Sequence, residues 1–458
     1  MRIAIIGSGY VGLVAGACFA QMGNSVICLD NDENKIAHLK QGKLPIYEPG
    51  LAEMIKDNVN AGRLSFSTDV KETISSSKII FITVGMPMGE AGSADLRFVR
   101  QVVSDIAKCL SMPNDEFNRY KNSSNSYIIV VKSTVAIGTA RKLKAIIAGK
   151  LAKCAFKAEF AVVSNPEFLR EGLAIKDFMS PDRIIIGTDG EEWALQTMHT
   201  LYAPFLVSND RFITMSMESA EMTKYAANSM LATKISFINE MSQICERVGA
   251  DINDVRRGIG SDTRIGHSFI YPGCGYGGSC LPKDIKALEK IALDKGYTPC
   301  ILQAVQAVNV AQKMLLVEKI TAKFGQNLQG FEFALWGLSF KPQTDDTREA
   351  SSLTLVRELV KRGAKVKAFD PKAQEQAQFY LRDVLNSITF CQNQYETLLN
   401  ADAMVLVTEW KEFYNPDFEA IKKALKKPII FDGRNIYHKF NLAQKGFEYH
   451  QIGVKSKK

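Results

Sequence analysis

The sequence predicts two α/β units, each built on a doubly wound parallel sheet, joined by a long central helical segment. Three observations predict it. Short apolar runs alternate with helical patterns in the first and last thirds of the chain, which is how strands look when helices cover both faces of their sheet. Between them Ala220, Thr223, Ala227, Met230, Leu231, Ile238, Met241, Cys245 and Val248 recur at helical spacing. The order helix, Gly, apolar strand, Asp seen at Gly23…Asp30 returns with the same gap at Gly363…Asp370, a weak repeat at the level of the fold. The expected boundaries are residues 1–210, 211–328 and 329–458.

The elements follow in order. Arg2–Ile6 reads as a short buried strand, Gly7–Gly12 as a turn, Leu13–Met22 as a helix of small residues, and Ser25–Leu29 as a strand ending at Asp30. Further strands are expected at Lys78–Val84, Tyr127–Val131 and Phe160–Ser164, and the polar stretch Ser111–Ser126 reads as an exposed insertion. One helix is expected from about Glu218 to Val248 and another over Leu302–Phe324, serving as spine and oligomer interface. In the last third, strands are expected at Phe333–Leu338, Lys365–Phe369, Ala403–Val407 and Pro428–Phe431, with a helix over Ser351–Lys361.

Composition excludes several classes. The 458 residues are 46% hydrophobic and 23% charged, ordinary values for a globular protein with several cores. The net charge of +8 includes a tail at Lys455, Lys457 and Lys458, and no basic block with interleaved aromatics points to nucleic acid. Nine scattered cysteines, an odd number, argue against a disulfide framework and for a reducing, cytoplasmic setting. No apolar run reaches the roughly 18 residues of a membrane span. Arg2, the following apolar stretch and Ala15-Gly16-Ala17 imitate a signal peptide, but a strand, turn and helix account for the same residues. The five histidines show no metal-ligand spacing, so no metal is expected.

Two motifs carry the chemistry. Gly7-Ser8-Gly9-Tyr10-Val11-Gly12 fits G-x-G-x-x-G between a strand and a helix, with Asp30 at the end of the next strand. The glycines permit a tight turn and close approach of a pyrophosphate, which the helix N-terminus attracts. Asp30 suits ribose hydroxyls and repels a 2′-phosphate, so NAD is expected rather than NADP. The repeat lacks these glycines and is expected to bind something other than a dinucleotide. The second motif is Gly275-Tyr276-Gly277-Gly278-Ser279-Cys280-Leu281-Pro282-Lys283-Asp284. Its glycines let backbone approach a ligand. Its thiol sits where a helix N-terminus favours thiolate, with Asp284 one turn further on. Together they suggest an oxidation passing through a covalent sulfur intermediate.

Other candidates are weaker alone. Lys224 and Asn228 share a helix face and could stabilise an oxyanion, or form a solvated face. Glu167 and Glu171 in Asn165–Gly172 could move protons, or be an exposed pair on a helix. Lys132-Ser133-Thr134 could meet a cofactor or a water, or cap a helix. Arg264, Lys341, Arg348 and Arg434, all in turns, could hold phosphate or be surface charges.

Taken together, these residues resemble the nucleotide-sugar 6-dehydrogenases, and their UDP-glucose-oxidising members most. The matching runs are GSGYVG, IYEPGL (Ile46–Leu51), KSTV (Lys132–Val135), NPEFLREG with PDRIIIG (Pro181–Gly187), the Lys224/Asn228 helix, GYGGSCLPKD, FKPQTDDTRE (Phe340–Glu349) and DGR (Asp432–Arg434), in the family's order over almost the whole chain. The resemblance implies two Rossmann-like domains, for NAD and for the UDP moiety, around a helical dimerising centre. It implies oxidation of UDP-glucose to UDP-glucuronate in two steps with two NADH, by a homodimer. Cys280 would be the nucleophile, Lys224 and Asn228 the oxyanion donors, Asp284 with Thr134 the handlers of proton and water, and Glu167 the residue serving hydrolysis. Gly7, Gly9, Tyr10, Val11, Gly12, Asp30, Lys35, Ser133, Thr134, Glu171 and Arg348 would face the cofactor. The nucleotide sugar would meet Glu167, Leu169, Lys224, Asn228, Tyr271, Gly275, Gly277, Phe340, Lys341 and Arg434, with Arg264 reaching the neighbouring subunit's substrate.

The chain departs from the family at Met86, where Thr is usual, and at Cys274, where Pro is usual. Cys274 is expected to be inert, although a Cys274–Cys280 disulfide would inactivate. A GDP-mannose-type relative and a catalytically idle NAD-sensing protein are the alternatives. The intact Cys280, Lys224, Asn228 and Asp284 set argues against the second.

Overall fold

The computed structural model describes residues 1–85, 97–111, 126–153 and 158–455. Met86, Cys154 and most of the expected 111–126 insertion therefore lie outside the described residues. The chain divides into two compact units, Met1–Ala226 and Ala227–Lys458.

The first unit is built on an eight-stranded sheet. Its strands are β1 (Arg2–Ile6), β2 (Ser25–Leu29), β3 (Leu64–Ser67), β4 (Ile79–Ile82), β5 (Ser126–Val131), β6 (Glu159–Ser164), β7 (Ile184–Gly187) and β8 (Phe212–Met215), in the order β3-β2-β1-β4-β5-β6-β7-β8. All pairs are parallel except β6 with β7. Strand residues alternate between two buried clusters. Ile3, Ile5, Ile79, Phe81, Ile128 and Val130 face one, while Ala4, Ile6, Ile80, Ile82, Ile129 and Val131 face the other. Both faces are covered, so the strands read as unbroken apolar runs.

The second unit repeats the plan with six strands: β9 (Glu332–Trp336), β10 (Lys365–Phe369), β11 (Ile388–Phe390), β12 (Ala403–Leu406), β13 (Ile429–Asp432) and β14 (Glu448–Gln451), ordered β11-β10-β9-β12-β13-β14. The order reverses between β9 and β12 as it does between β1 and β4. Such a reversal opens a crevice beyond the strand ends where ligands bind.

Helix Met217–Val248 matches its expected span to one residue, and Ser351–Lys361 matches its own. The first helix does not match. It begins at Tyr10, not Leu13, because Gly9 is its extended N-cap, with no side-chain cap to mark the start. Tyr10, Val11 and Gly12 are thus helical. Strands β3, β7, β8, β11 and β14 were not expected. They are short; Phe212–Met215 and Glu448–Gln451 are partly exposed and carry no apolar run, whereas Ile184–Gly187 is a buried apolar run that the reading of the sequence did not count as a strand.

Helix Cys300–Phe324 starts two residues before its expected start at Leu302. Among the described residues it is the one helix long and apolar enough, by length and composition, to cross a membrane. Its Asn309 and Gln312 are buried polar groups that bind a neighbouring loop, which suits a helix packed within a core.

Gly337 has φ +93°, and a Cβ there would stand 2.4 Å from Thr408 Cβ and 2.6 Å from Thr408 N. Gly337→Ala should destabilise the second unit by about 1–3 kcal/mol. Urea unfolding followed by Trp336 and Trp410 fluorescence in a Trp193→Phe background measures this, since those two of the three tryptophans lie in that unit.

Candidate functional site

In the first unit the glycine turn divides its labour. Gly7 has φ +106°, and a Cβ there would press on Val84 N at 2.9 Å. A Cβ on Gly12 would overlap Gly7 O, so that glycine lets the helix close on the turn. At Gly9 nothing among the described residues lies within 4 Å of a Cβ. An open side at a helix N-terminus suits an anionic group.

Asp30 completes the turn. Its Oδ2 accepts from Ser8 N and Lys35 Nζ, both at 2.8 Å, and its Oδ1 accepts from Asp32 N at 3.2 Å. Burial pushes its pKa up, but the Lys35 ammonium and the two N–H donors outweigh this and hold it below the usual carboxylate value. Lys35 is therefore Asp30's ion partner. Ser133 Oγ donates to Val84 O at 2.7 Å, tying the end of β5 to the segment after β4. The next helix starts at Thr139, so Ser133 and Thr134 do not cap it. Thr134 is half-buried.

Glu167 and Glu171 are not on a helix, so the reading as an exposed helical pair fails. Glu167 is buried. It accepts from Lys224 Nζ at 2.8 Å and from Leu169 N at 2.6 Å. Burial opposes ionisation, yet Lys224, the Leu169 N–H and Lys132 keep its pKa low. The ammonium of Lys224 also lies 5.4 Å from the Phe168 ring centroid. Leu169 and Glu171 are half-buried beside this pair in sequence.

In the second unit Cys280 is exposed at the N-cap of helix Leu281–Asp294, and its Sγ lies 3.5 Å from Ser279 Oγ. Asp284, one turn in, is fully buried. Its carboxylate accepts from Asn228 Nδ2 at 2.6 Å and pairs with Lys283. The thiol is exposed while the acid one turn on is buried and anchored by Asn228 and Lys283. Lys224 and Asn228 lie four residues apart on one helix, and each is bonded to a carboxylate. The reading as a solvated helix face fails, because both are buried.

The glycines before Cys280 answer to neighbouring chain rather than to open space. A Cβ on Gly275 would press on Lys313 and Asn309, on Gly277 on Glu349 O, and on Gly278 on the Phe340 ring. Gly278 N also donates to Arg348 O at 2.8 Å. The cysteine loop and the Phe340–Glu349 segment are thus brought together. Arg348 pairs with Asp346, and Lys341 Nζ lies 5.6 Å from the Phe340 ring centroid. Arg434 is not a surface charge. It is largely buried, with Nε 2.7 Å from Val407 O and 3.1 Å from Glu409. Arg264 remains a surface charge, 87% exposed and paired with Asp262. Tyr271 is exposed, with Arg256 stacked on it. Cys274 is buried at 1% exposure. Burial raises its pKa, which supports an inert thiol, and no disulfide forms among the described cysteines.

Four positioning groups escaped the sequence reading. Asn309 clamps Tyr276, accepting from its N–H at 2.8 Å and donating to its carbonyl at 3.1 Å; Gln312 donates to Gly273 O at 2.6 Å. Their signal was a row of amides, Gln303, Gln306, Asn309 and Gln312, at three-residue spacing on a largely apolar helix. Lys132 is buried, and donates to Asn165 Oδ1 at 3.2 Å. Glu221 is buried and accepts from Gly138 N and from Ala140 N at the start of helix Thr139–Leu151. Lys132 was noticed only for its neighbours' hydroxyls.

Comparison with known proteins settles what this frame belongs to. Residues 1–206, 218–311 and 334–439 match the NAD binding, central and UDP binding domain models of the UDP-glucose/GDP-mannose dehydrogenase family. The chain belongs to that family. It is 47% identical to a UDP-glucose 6-dehydrogenase of Pseudomonas aeruginosa over 99% of this chain and 97% of the relative. It is 42% identical to one from Rhizobium meliloti over 99% of each. A UDP-glucose dehydrogenase structure from Pyrobaculum islandicum superposes with a TM-score of 0.86 at 33% identity, over 99% of this chain and 98% of that one. The protein is accordingly an NAD-dependent oxidoreductase of nucleotide sugars, with NAD as its cofactor.

Lys132 gives the site a pH signature. Burial lowers its pKa to about 8 from 10.5, with Lys224 adding to the shift and Glu167 opposing it. Between those values the unfolded chain holds the proton and the folded protein does not. Lys132's contribution to stability therefore rises with pH across that window. The stability advantage of Lys132→Met over the parent should shrink by about 2 kcal/mol from pH 8 to pH 10, read from urea unfolding at each pH.

Proposed function

We propose that the protein oxidises the primary alcohol of UDP-glucose twice, giving UDP-glucuronate through a thiohemiacetal and a thioester on Cys280. The observation that carries this reading is an exposed thiol at a helix N-cap, with a buried carboxylate one turn on. One such thiol suffices for the aldehyde oxidation, because sulfur holds the reactive aldehyde for the second step. NAD, when bound, supplies the acceptor for the hydride of each oxidation.

The chain's own residues divide the remaining work. Cys280 adds to the aldehyde carbon, and the carbonyl oxygen gains negative charge. Lys224 and Asn228 donate to that oxygen. Asp284, with Thr134, holds the water that cleaves the thioester and takes its proton. Glu167, kept ionised by Lys224, serves the same step. Leu169, Tyr271, Gly275, Gly277, Phe340, Lys341 and Arg434 contact the nucleotide sugar. Tyr10, Val11, Lys35, Ser133, Glu171 and Arg348 line the cofactor's side with the glycine turn and Asp30. The pairing of Lys224 with Glu167 and of Asn228 with Asp284 supports these roles by fixing each donor before substrate arrives.

The active form is a homodimer in this reading, with Arg264 reaching the neighbouring copy's substrate. On the long helix Met230, Phe237 and Ile244 stand seven residues apart and are 60%, 49% and 47% exposed. A heptad-spaced apolar stripe is a seam for a second helix. Phe237→Glu should convert a dimer into monomers in light scattering.

Stoichiometry tests the chemistry. Two NADH should form per UDP-glucose, and one per sugar overturns the thioester route. Turnover of GDP-mannose instead would transfer the reading to that substrate. NAD binding without turnover of any sugar would make the protein an idle sensor. Cys280→Ser should lower complete oxidation at least a thousandfold while the protein still binds NAD.

A further inference from the structure

The run Ile46–Leu51 contains a buried glutamate that the proposed chemistry leaves without a task. Glu48 is 5% exposed. Its Oε2 accepts from the Tyr10 hydroxyl and from Gly172 N at 2.6 Å, while Oε1 accepts from Ala174 N at 2.8 Å. Gly172 N also lies 3.2 Å from the Tyr10 oxygen. These partners come from two places. Tyr10 is the first residue of the helix that Gly9 caps. Gly172, with φ +78°, closes the stretch that carries Glu167, Leu169 and Glu171, and Ala174 opens the next helix. The first N–H groups of a helix have no partner within it, so the carboxylate serves as that helix's cap and as the tyrosine's acceptor at once. A buried carboxylate left without such donors is strongly disfavoured, so the link is held firmly.

We infer that Glu48 is a positioning residue that keys the 165–173 loop to the cofactor turn, so that occupation of the turn by NAD steadies the loop that meets the nucleotide sugar. Tyr10 is the cofactor-side end of this link and Gly172 the loop-side end. The part concerning the sugar rests on the assignment of Glu167 and Leu169 to that ligand.

Two variants separate the outcomes. Glu48→Gln keeps the shape and removes the charge. Tyr10→Phe removes one donor and leaves Glu48 with both backbone N–H groups, so it keeps the fold. Calorimetric titration should show each variant binding NAD and UDP-glucose roughly tenfold more weakly, with the double variant no worse than the weaker single. Weakened NAD with unchanged UDP-glucose overturns the link, as does a lower melting temperature with both affinities intact.

A second readout needs no sugar. Arg170 is exposed within the loop, and trypsin cuts after it. In the parent, NAD should slow that cleavage severalfold. In both variants the protection should be lost. If NAD protects the variants as well as the parent, the inference falls. If the parent binds NAD and shows protection but does not bind UDP-glucose, the substrate assignment has failed and the loop-to-turn link stands.

Discussion

Buried carboxylates and amides that must find hydrogen bonds fix the loops of this protein. Strand ends in a parallel sheet deliver chain into a crevice, and nothing in the sheet itself sets what the chain does next. Glu48 holds the 165–173 loop, Asp284 holds Asn228, and Asn309 with Gln312 holds the cysteine loop. Each partner is satisfied in the geometry seen. The cost of leaving it unsatisfied makes that geometry the stable one. Candidate chemistry then rides in part on loops held by groups such as Glu48, Asn309 and Gln312, which take no part in it.

The two sheets show how one plan takes two uses. Asp30 and Asp370 both end the second strand of their unit, and both accept from backbone N–H groups of the turn after the first. Asp30 keeps a polar partner, Lys35, at its side and remains 10% exposed. Asp370 is covered, and Trp410 Nε1, Ser339 Oγ, Lys372 N and Ala373 N use its oxygens. The first keeps an oxygen partly open, while the second has its oxygens taken up by protein groups. Gly9 has open space in front of it, and the second unit has no glycine in its place. The repeat is thus one of architecture, and the two acids differ in how their hydrogen bonds are occupied.

A similar contrast separates the two thiols that precede and begin helix Leu281–Asp294. Cys280 stands exposed at the N-cap, where a helix end favours negative charge. Cys274, six residues earlier, packs into the apolar cluster beneath β9 and β12 and donates weakly to Val407 O at 3.7 Å. Burial alone makes it a filler. In both cases residue type was shared, and surroundings assigned the role.

The sequence by itself determined the two α/β units, the long helix, the fingerprint turn and the cysteine at a helix start, because each is written in local periodicity or in residues with unusual backbone freedom. Gly7's positive φ and the apolar runs of β4 and β5 are properties of neighbours along the chain. Only tertiary structure decided that Glu167 and Lys224 form a buried pair, that Arg434 lies inward, that Glu48 joins segments far apart in sequence, and that edge strands such as Glu448–Gln451 belong to a sheet at all. Those facts depend on which distant groups share a desolvated space. Hydrogen-bond satisfaction there is a pairwise property that no single stretch of sequence records.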